Sequence, residues 1–130
     1  MQRMDWSEYV RSVVRIIVGL LFSMHGWQKL FGLFGGMGGH GPSPMWSQSW
    51  VAGVIETVGG AMILAGLFTR PVAFVLCGEM AVAYFQKHLS RGFWPLQNSG
   101  ETAVLFCFIF LYLCAAGGGP LSLDGMVRRK

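Results

Sequence analysis

Four stretches of this chain are apolar at nearly every position, and short polar or glycine-rich breaks separate them. The first runs from about Val10 to Phe31, with an uninterrupted centre from Ile16 to Phe22. The second, Val51 to Phe68, is broken only by Glu56, and the third, from Pro71 to about Gln86, only by Glu79. The fourth, Thr102 to Leu123, carries no charge. At a rise of about 1.5 Å per residue it covers a hydrocarbon core of roughly 30 Å, whereas the second and third are short and need their neighbours. Ser47 or Ser49 is placed to cap the second helix and Pro71 to open the third. Asn98 with Glu101 resembles a capping box before the fourth, and Gly117 to Pro120 ends it. With only Thr69 and Arg70 between them, the second and third segments must be antiparallel neighbours. The expectation is an all-α, integral membrane, up-down four-helix bundle occupying residues 1–130 as one domain. A Gly-rich outer loop, Gly36 to Gly41, joins helices 1 and 2.

Composition agrees with this reading. Charged residues make up 12 % of the chain, against roughly 25 % in soluble domains, and apolar residues 53 %. The mean hydropathy is +0.50. So few charges cannot cover a water-facing surface, which excludes a soluble enzyme, a disordered chain and a disulfide scaffold. The net charge of +4 does not indicate nucleic acid, because Arg128, Arg129 and Lys130 are terminal and the other basic residues stand singly beside apolar runs. Such residues act as topology signals. With four spans, Arg3, Arg11, Arg15, Arg70, Arg128, Arg129 and Lys130 fall on one side and Lys29, Lys87 and Arg91 on the other, so both termini are expected in the cytoplasm. His25, Gln28 and Lys29 follow the first run in place of a small-residue cleavage site, so that run reads as retained and not as a signal peptide. Ala73, Cys77 and Ala81, and likewise Ala61 and Ala65, recur every four residues as candidate packing faces.

Ionisable residues within the spans are the chemical signal. An isolated carboxylate is costly in a bilayer, so Glu56 and Glu79 need partners. Placed on the four-span topology, His25, Gln28, Lys29, Glu56, Glu79, His88 and Glu101 gather toward the outer half as a candidate polar cluster, and His25, Gln28 and Lys29 share one helix face. The competing reading is structural: Glu101 caps a helix, Lys29 and Lys87 snorkel, and Glu56 or Glu79 pairs with a base to fix the bundle. Gly36 to Gly41 matches G-x-G-x-x-G formally, but no strand precedes it, so a dinucleotide site is not supported. Cys77, Cys107 and Cys114 form no C-x-x-C pair and read as packing residues. His25 and His88 lie at similar depth on different helices, but the Glu-x-x-His motif of di-iron bundles is missing and no metal is assigned. Trp46, Trp50, Phe93 and Trp94 read as interface aromatics first and as a quinone-stacking wall second.

The runs His25-Gly26-Trp27-Gln28-Lys29-Leu30, Gly53-Val54-Ile55-Glu56, Gly59-Gly60 and Leu67-Phe68-Thr69-Arg70 resemble the DoxX family of small bacterial membrane proteins. Gly92-Phe93-Trp94-Pro95, Asn98-Ser99-Gly100-Glu101 and Leu121-Ser122-Leu123-Asp124 extend the likeness over nearly the whole chain. Ser99 stands where a second glycine is expected. The resemblance implies a four-span protein of the bacterial inner membrane and a link to oxidoreductases, since the family takes its name from a subunit of a thiosulfate:quinone oxidoreductase. It transfers fold better than function, and no catalytic residues come with it.

Three functional readings follow. In the first, the chain is the membrane subunit of a quinone-linked oxidoreductase system, with His25 or His88 exchanging protons, Glu56 and Glu79 relaying them, and Arg15 or Lys29 balancing charge. Quinone is then the candidate cofactor, ahead of haem. No electron carrier is seen in the sequence, so this reading requires a soluble redox partner protein. In the second, a non-enzymatic module binds a small molecule or lipid, or anchors a partner protein. A transporter ranks third, because 130 residues without an inverted repeat need a homo-oligomer to build a path. Whether the chain catalyses a reaction is left open at this level.

Overall fold

The computed structural model describes residues 5–36 and 41–128. Most of the glycine-rich loop expected at Gly36 to Gly41 therefore lies outside the described residues, as do Arg3, Arg129 and Lys130 of the charge asymmetry. Helices dominate and no strand occurs among the described residues: α1 (Trp6–Phe31), α2 (Gln48–Ala65), α3 (Thr69–Ala83), α4 (Pro95–Asn98), α5 (Glu101–Ala116) and α6 (Leu123–Arg128). The chain divides into two compact units, Met1–Thr69 with Gly118–Lys130, and Arg70–Gly117.

In the first unit, α1 begins earlier than the apolar run alone implies. Asp5 caps it, its Oδ1 accepting from the Ser7 N–H at 3.0 Å and from the Ser7 hydroxyl at 2.6 Å. It ends at Gly32, which has a left-handed φ of 69°. Of the two serines proposed to cap α2, Ser47 does so, accepting from the Trp50 N–H at 3.2 Å. The helix closes in a Schellman turn, Leu67 N–H donating to the Met62 carbonyl at 2.9 Å and Gly66 N–H to that of Ile63 at 3.1 Å. With 26 and 18 residues, α1 and α2 are long and apolar enough to cross a membrane.

These two helices run antiparallel and meet backbone to backbone. A Cβ added at Gly19 would lie 2.5 Å from the Leu64 nitrogen, one at Gly26 2.6 Å from the Thr57 nitrogen, and one at Gly60 2.9 Å from the Ser23 nitrogen. The contact face of α2 is thus Gly53, Glu56, Gly59, Gly60 and Ile63, all buried, while Ala61 is exposed. The Ala61 and Ala65 packing face expected from sequence is displaced by this glycine face, because only glycine lets the helix axes approach so closely.

The unit is also inverted in polarity relative to a soluble helix pair. The buried face of α1 is Ser12, Arg15, Val18, Gly19, Phe22, Ser23, Gly26 and Lys29. Its exposed residues include Val10, Val13, Val14, Ile17, Leu20 and Leu21. Apolar side chains point out and polar ones in, an arrangement that water penalises and lipid tails solvate.

In the second unit, α3 runs into a π-helical turn, Tyr84–His88, where the Leu89 N–H bonds the Tyr84 carbonyl, and then a 3-10 turn, Leu89–Arg91. Antiparallel to α3 lies α5: Arg70 faces the Cys114 and Ala115 carbonyls, and Cys77 faces Cys107. The fourth apolar stretch is not one long helix. α5 stops at Ala116 after 16 residues, about 24 Å, because Gly117, with φ 81°, turns the chain away. Asn98 does not cap α5 either; it ends the short α4, and Gly100 is the cap residue.

Candidate functional site

Two polar centres stand out, one in each unit. The first joins α1 to α2. Lys29 Nζ donates to both carboxylate oxygens of Glu56, at 2.7 Å and 2.6 Å, with 11 % and 2 % of the two side chains exposed. Their register follows from the glycine seam, since Gly26 and Gly53 bring the helices close enough for a lysine to reach across. In a low-dielectric surrounding each charge needs the other, and removing one leaves the second buried and uncompensated.

The remaining outer residues of α1 point elsewhere. His25 is exposed, with Nδ1 3.0 Å from the Leu21 carbonyl, and Gln28 Nε2 donates to the Gly36 carbonyl at 3.0 Å, holding the chain that leaves the helix.

The opposite end of this unit is closed by residues for which sequence reasoning had given only a charge or a motif. Arg15, fully buried, donates from Nε to the Gly118 carbonyl at 2.8 Å, from Nη1 to those of Ile63 at 2.8 Å and Leu64 at 2.6 Å, and from Nη2 to that of Leu121. It therefore places a cation on the last carbonyls of α2, where the helix dipole favours one. Asp124 accepts from the N–H groups of Phe68 and Thr69 at 2.8 Å each, and so caps the start of α3. The signal for Arg15 was present in the spacing of Ser12, Arg15, Gly19, Ser23, Gly26 and Lys29, which recur every three or four residues as one stripe through an apolar helix.

In the second unit the π turn builds the other centre. Buried Asn98 donates from Nδ2 to the Tyr84 hydroxyl at 3.1 Å and the Gly92 carbonyl at 2.9 Å, and its Oδ1 accepts from the Gly100 N–H at 2.9 Å. The Tyr84 hydroxyl in turn donates to the Phe93 carbonyl at 2.8 Å. His88 Nδ1 lies 3.1 Å from the Asn98 carbonyl. A carbonyl only accepts, so Nδ1 carries hydrogen, and in the neutral ring Nε2 holds the lone pair. Beside this hub opens a groove of about 510 Å³, walled by Tyr84, Phe85, Phe93, Trp94 and Phe108, with Cys107 among its lining residues. Of the other cluster candidates, Glu79 lies on α3 with both carboxylate oxygens buried, and Glu101 is exposed in the first turn of α5. Among the described residues no group of three or more His, Cys, Asp or Glu side chains is placed to hold a metal ion.

The family model DoxX matches residues 10–89, which contain Arg15, the glycine seam, the Lys29–Glu56 pair and the π turn. The chain belongs to the DoxX family. An uncharacterized protein of Haemophilus influenzae is 41 % identical, covering 96 % of this chain and 96 % of its own. A Bacillus subtilis DoxX relative named "Putative oxidoreductase CatD" is 28 % identical over 88 % of this chain and 84 % of its own. An uncharacterized membrane protein of Mycobacterium tuberculosis is 28 % identical over 90 % and 80 %. No solved structure matches. This DoxX protein is accordingly a membrane protein with a distant relative named for redox chemistry.

Proposed function

We propose that this DoxX protein is a multi-pass subunit of the bacterial inner membrane that serves a quinone-linked oxidoreductase. The observation that carries the reading is the aromatic groove beside the Tyr84–Asn98–His88 hub. A flat, apolar ring stacks well between aromatic walls, and the name of the Bacillus subtilis relative supports redox use. A quinone, when bound, accepts two electrons and two protons. His88 does not line the groove; the Asn98 carbonyl holds its Nδ1, which leaves Nε2 as the atom that exchanges a proton in this reading. The hydroxyl of Tyr84 is committed to Phe93 and Asn98, which fixes its ring as a wall of the groove. A soluble redox partner supplies the electrons in this reading. In the proposed topology α1, α2, the helical run 69–91 and α5 are the four spans, and both termini lie in the cytoplasm on the Lys and Arg bias.

The test is organic extraction and mass analysis of the detergent-purified protein, followed by titration with a short-chain ubiquinone analogue read by tryptophan fluorescence. Expected are a co-purifying isoprenoid quinone and quenching that is lost in Trp94→Phe and weakened in Phe108→Ala. A quinone-free extract together with a flat titration overturns the reading. It would favour a module that binds lipid or anchors a partner, a role for which the fully paired Lys29–Glu56 bridge and the carbonyl-bound Arg15 already suit the first unit.

A further inference from the structure

The three cysteines form no motif in sequence, yet the fold brings two of them together. Cys77 on α3 and Cys107 on α5 lie with their sulfurs 3.7 Å apart, and both are half-buried and free of disulfide bonding. Thirty positions separate them in the chain, so the contact is made by the antiparallel packing of the two helices and not by a local turn. A covalent S–S bond of about 2.05 Å asks the sulfurs to close by about 1.7 Å. Cys107 also lines the aromatic groove, so one of the two thiols is reachable from the space that would admit an apolar reactant.

We infer that Cys77 and Cys107 are a redox-active dithiol whose oxidised form is an α3–α5 disulfide. Both S–H bonds break, the Cys77 Sγ–Cys107 Sγ bond forms, and two electrons and two protons leave. The acceptor is a lipid-soluble quinone, which takes up both electrons and both protons to become the quinol. The choice of acceptor rests on the proposed function; the formation of the disulfide does not. The pair gives the chain an electron-carrying group of its own, which the sequence reading lacked. The couple is two-electron, matching the quinone step without a one-electron store. Cys114, seven residues beyond Cys107 on α5, is the internal control.

The experiment uses the full chain in lipid nanodiscs, reduced, freed of reductant under anaerobic conditions, and exposed separately to diamide and to a short-chain ubiquinone analogue. Intact mass, thiol counting and peptide mapping read the result, and absorbance follows quinol formation. Each oxidant is expected to remove about 2 Da and two of the three thiols, leaving Cys114 reactive and linking the peptides that hold Cys77 and Cys107. Cys114→Ser should behave as the parent. Cys77→Ala and Cys107→Ala should each lose both the cross-link and the quinol signal. Three thiols surviving diamide, or a link through Cys114, overturns the dithiol. A disulfide made by diamide but not by an analogue that binds overturns the transfer step. A disulfide made by diamide with no binding of the analogue, read by tryptophan fluorescence, supports the dithiol and places the failure in the quinone-linked reading.

Discussion

In the α1–α2 unit the helix backbones touch, and glycine, serine, arginine and an ion pair face inward beside Val18 and Phe22; in the α3–α5 unit Cys77 meets Cys107 side chain to side chain, and buried Asn98 and the buried Glu79 carboxylate stand among aromatic and aliphatic groups. The difference reflects what can hold helices together where lipid tails are as apolar as leucine. The first unit relies on close backbone approach and on polar groups held against one another across the seam. In the second, α3 and α5 meet through side chains, Cys77 against Cys107, and residues of this unit line a groove of about 510 Å³. The close helix seam and the aromatic groove thus fall in different parts of one small chain.

The strongest way to break this comparison is to remove one member of the ion pair. Glu56→Leu leaves Lys29 buried and unpaired and should destabilise the protein by about 3–5 kcal/mol, whereas Glu56→Leu with Lys29→Leu together should come close to the parent. Equilibrium unfolding in mixed micelles, run as a double-mutant cycle, measures it. A small cost for the single change would mean that the seam does not depend on the pair.

The glycines sharpen the same contrast. Gly19→Ala drives a Cβ to within 2.5 Å of the Leu64 backbone, and the helices must part, at about 1–3 kcal/mol. Gly78→Ala meets nothing within 4 Å and should instead stabilise α3 by about 0.5–1 kcal/mol, because glycine is the poorer helix former. Opposite signs from one substitution type, measured by the same unfolding assay, would confirm that the α1–α2 seam requires glycine at Gly19 where the exposed face of α3 at Gly78 does not. Equal signs would refute it.

Much of this was readable from the chain. Apolar runs marked the helices, and Ser47, one of the two serines offered as a cap, marked the start of α2 through capping chemistry that is local by nature; the end of α2 at Gly66, two residues short of Phe68, went unread. The errors came where composition was silent about direction. Thr102 to Leu123 carries no charge, yet the left-handed Gly117 breaks it, and a hydropathy window does not register backbone angles. Within the cluster proposed from seven residues, the structure joins Lys29 to Glu56 but turns His25 outward, since residues four apart on α1 share a side without sharing a partner. The Cys77–Cys107 contact and the role of Asn98 depend on the packing of α3 against α5 and on the π turn, which no sequence period announces.

A smaller effect tests a departure from the expected motif. Ser99 stands where a glycine was expected, and its φ of 61° shows why: the chain is left-handed there, between α4 and α5. Ser99→Gly should relieve about 1 kcal/mol of strain without touching the Asn98 network, whose bonds run to Tyr84, Gly92 and Gly100. A rise in thermal midpoint with unchanged quinone-analogue binding is expected. A loss of binding would mean that the serine hydroxyl itself contributes to the groove.

The smallest effect lies at the water-facing start of α1. The Asp5 carboxyl is held below its ordinary value of 3.8, first by the Ser7 hydroxyl and then by the Ser7 N–H, so the folded state binds its proton less readily than the unfolded chain does. The stabilisation is therefore fully present above about pH 4 and is lost as pH falls through the lowered value. Asp5 is exposed and its bonds are local, so the loss should appear as fraying of the first turn of α1 and not as global unfolding. Hydrogen exchange of the Ser7 and Glu8 amides, compared at pH 2 and pH 5 after correction for intrinsic rates, should show weaker protection at the lower pH. Asp5→Asn should remove that difference while keeping a cap, since its amide oxygen accepts the same bond at either pH. If protection in the parent is the same at both values, Asp5 does not govern where α1 begins, and the helix start is set by the buried stripe from Ser12 onward.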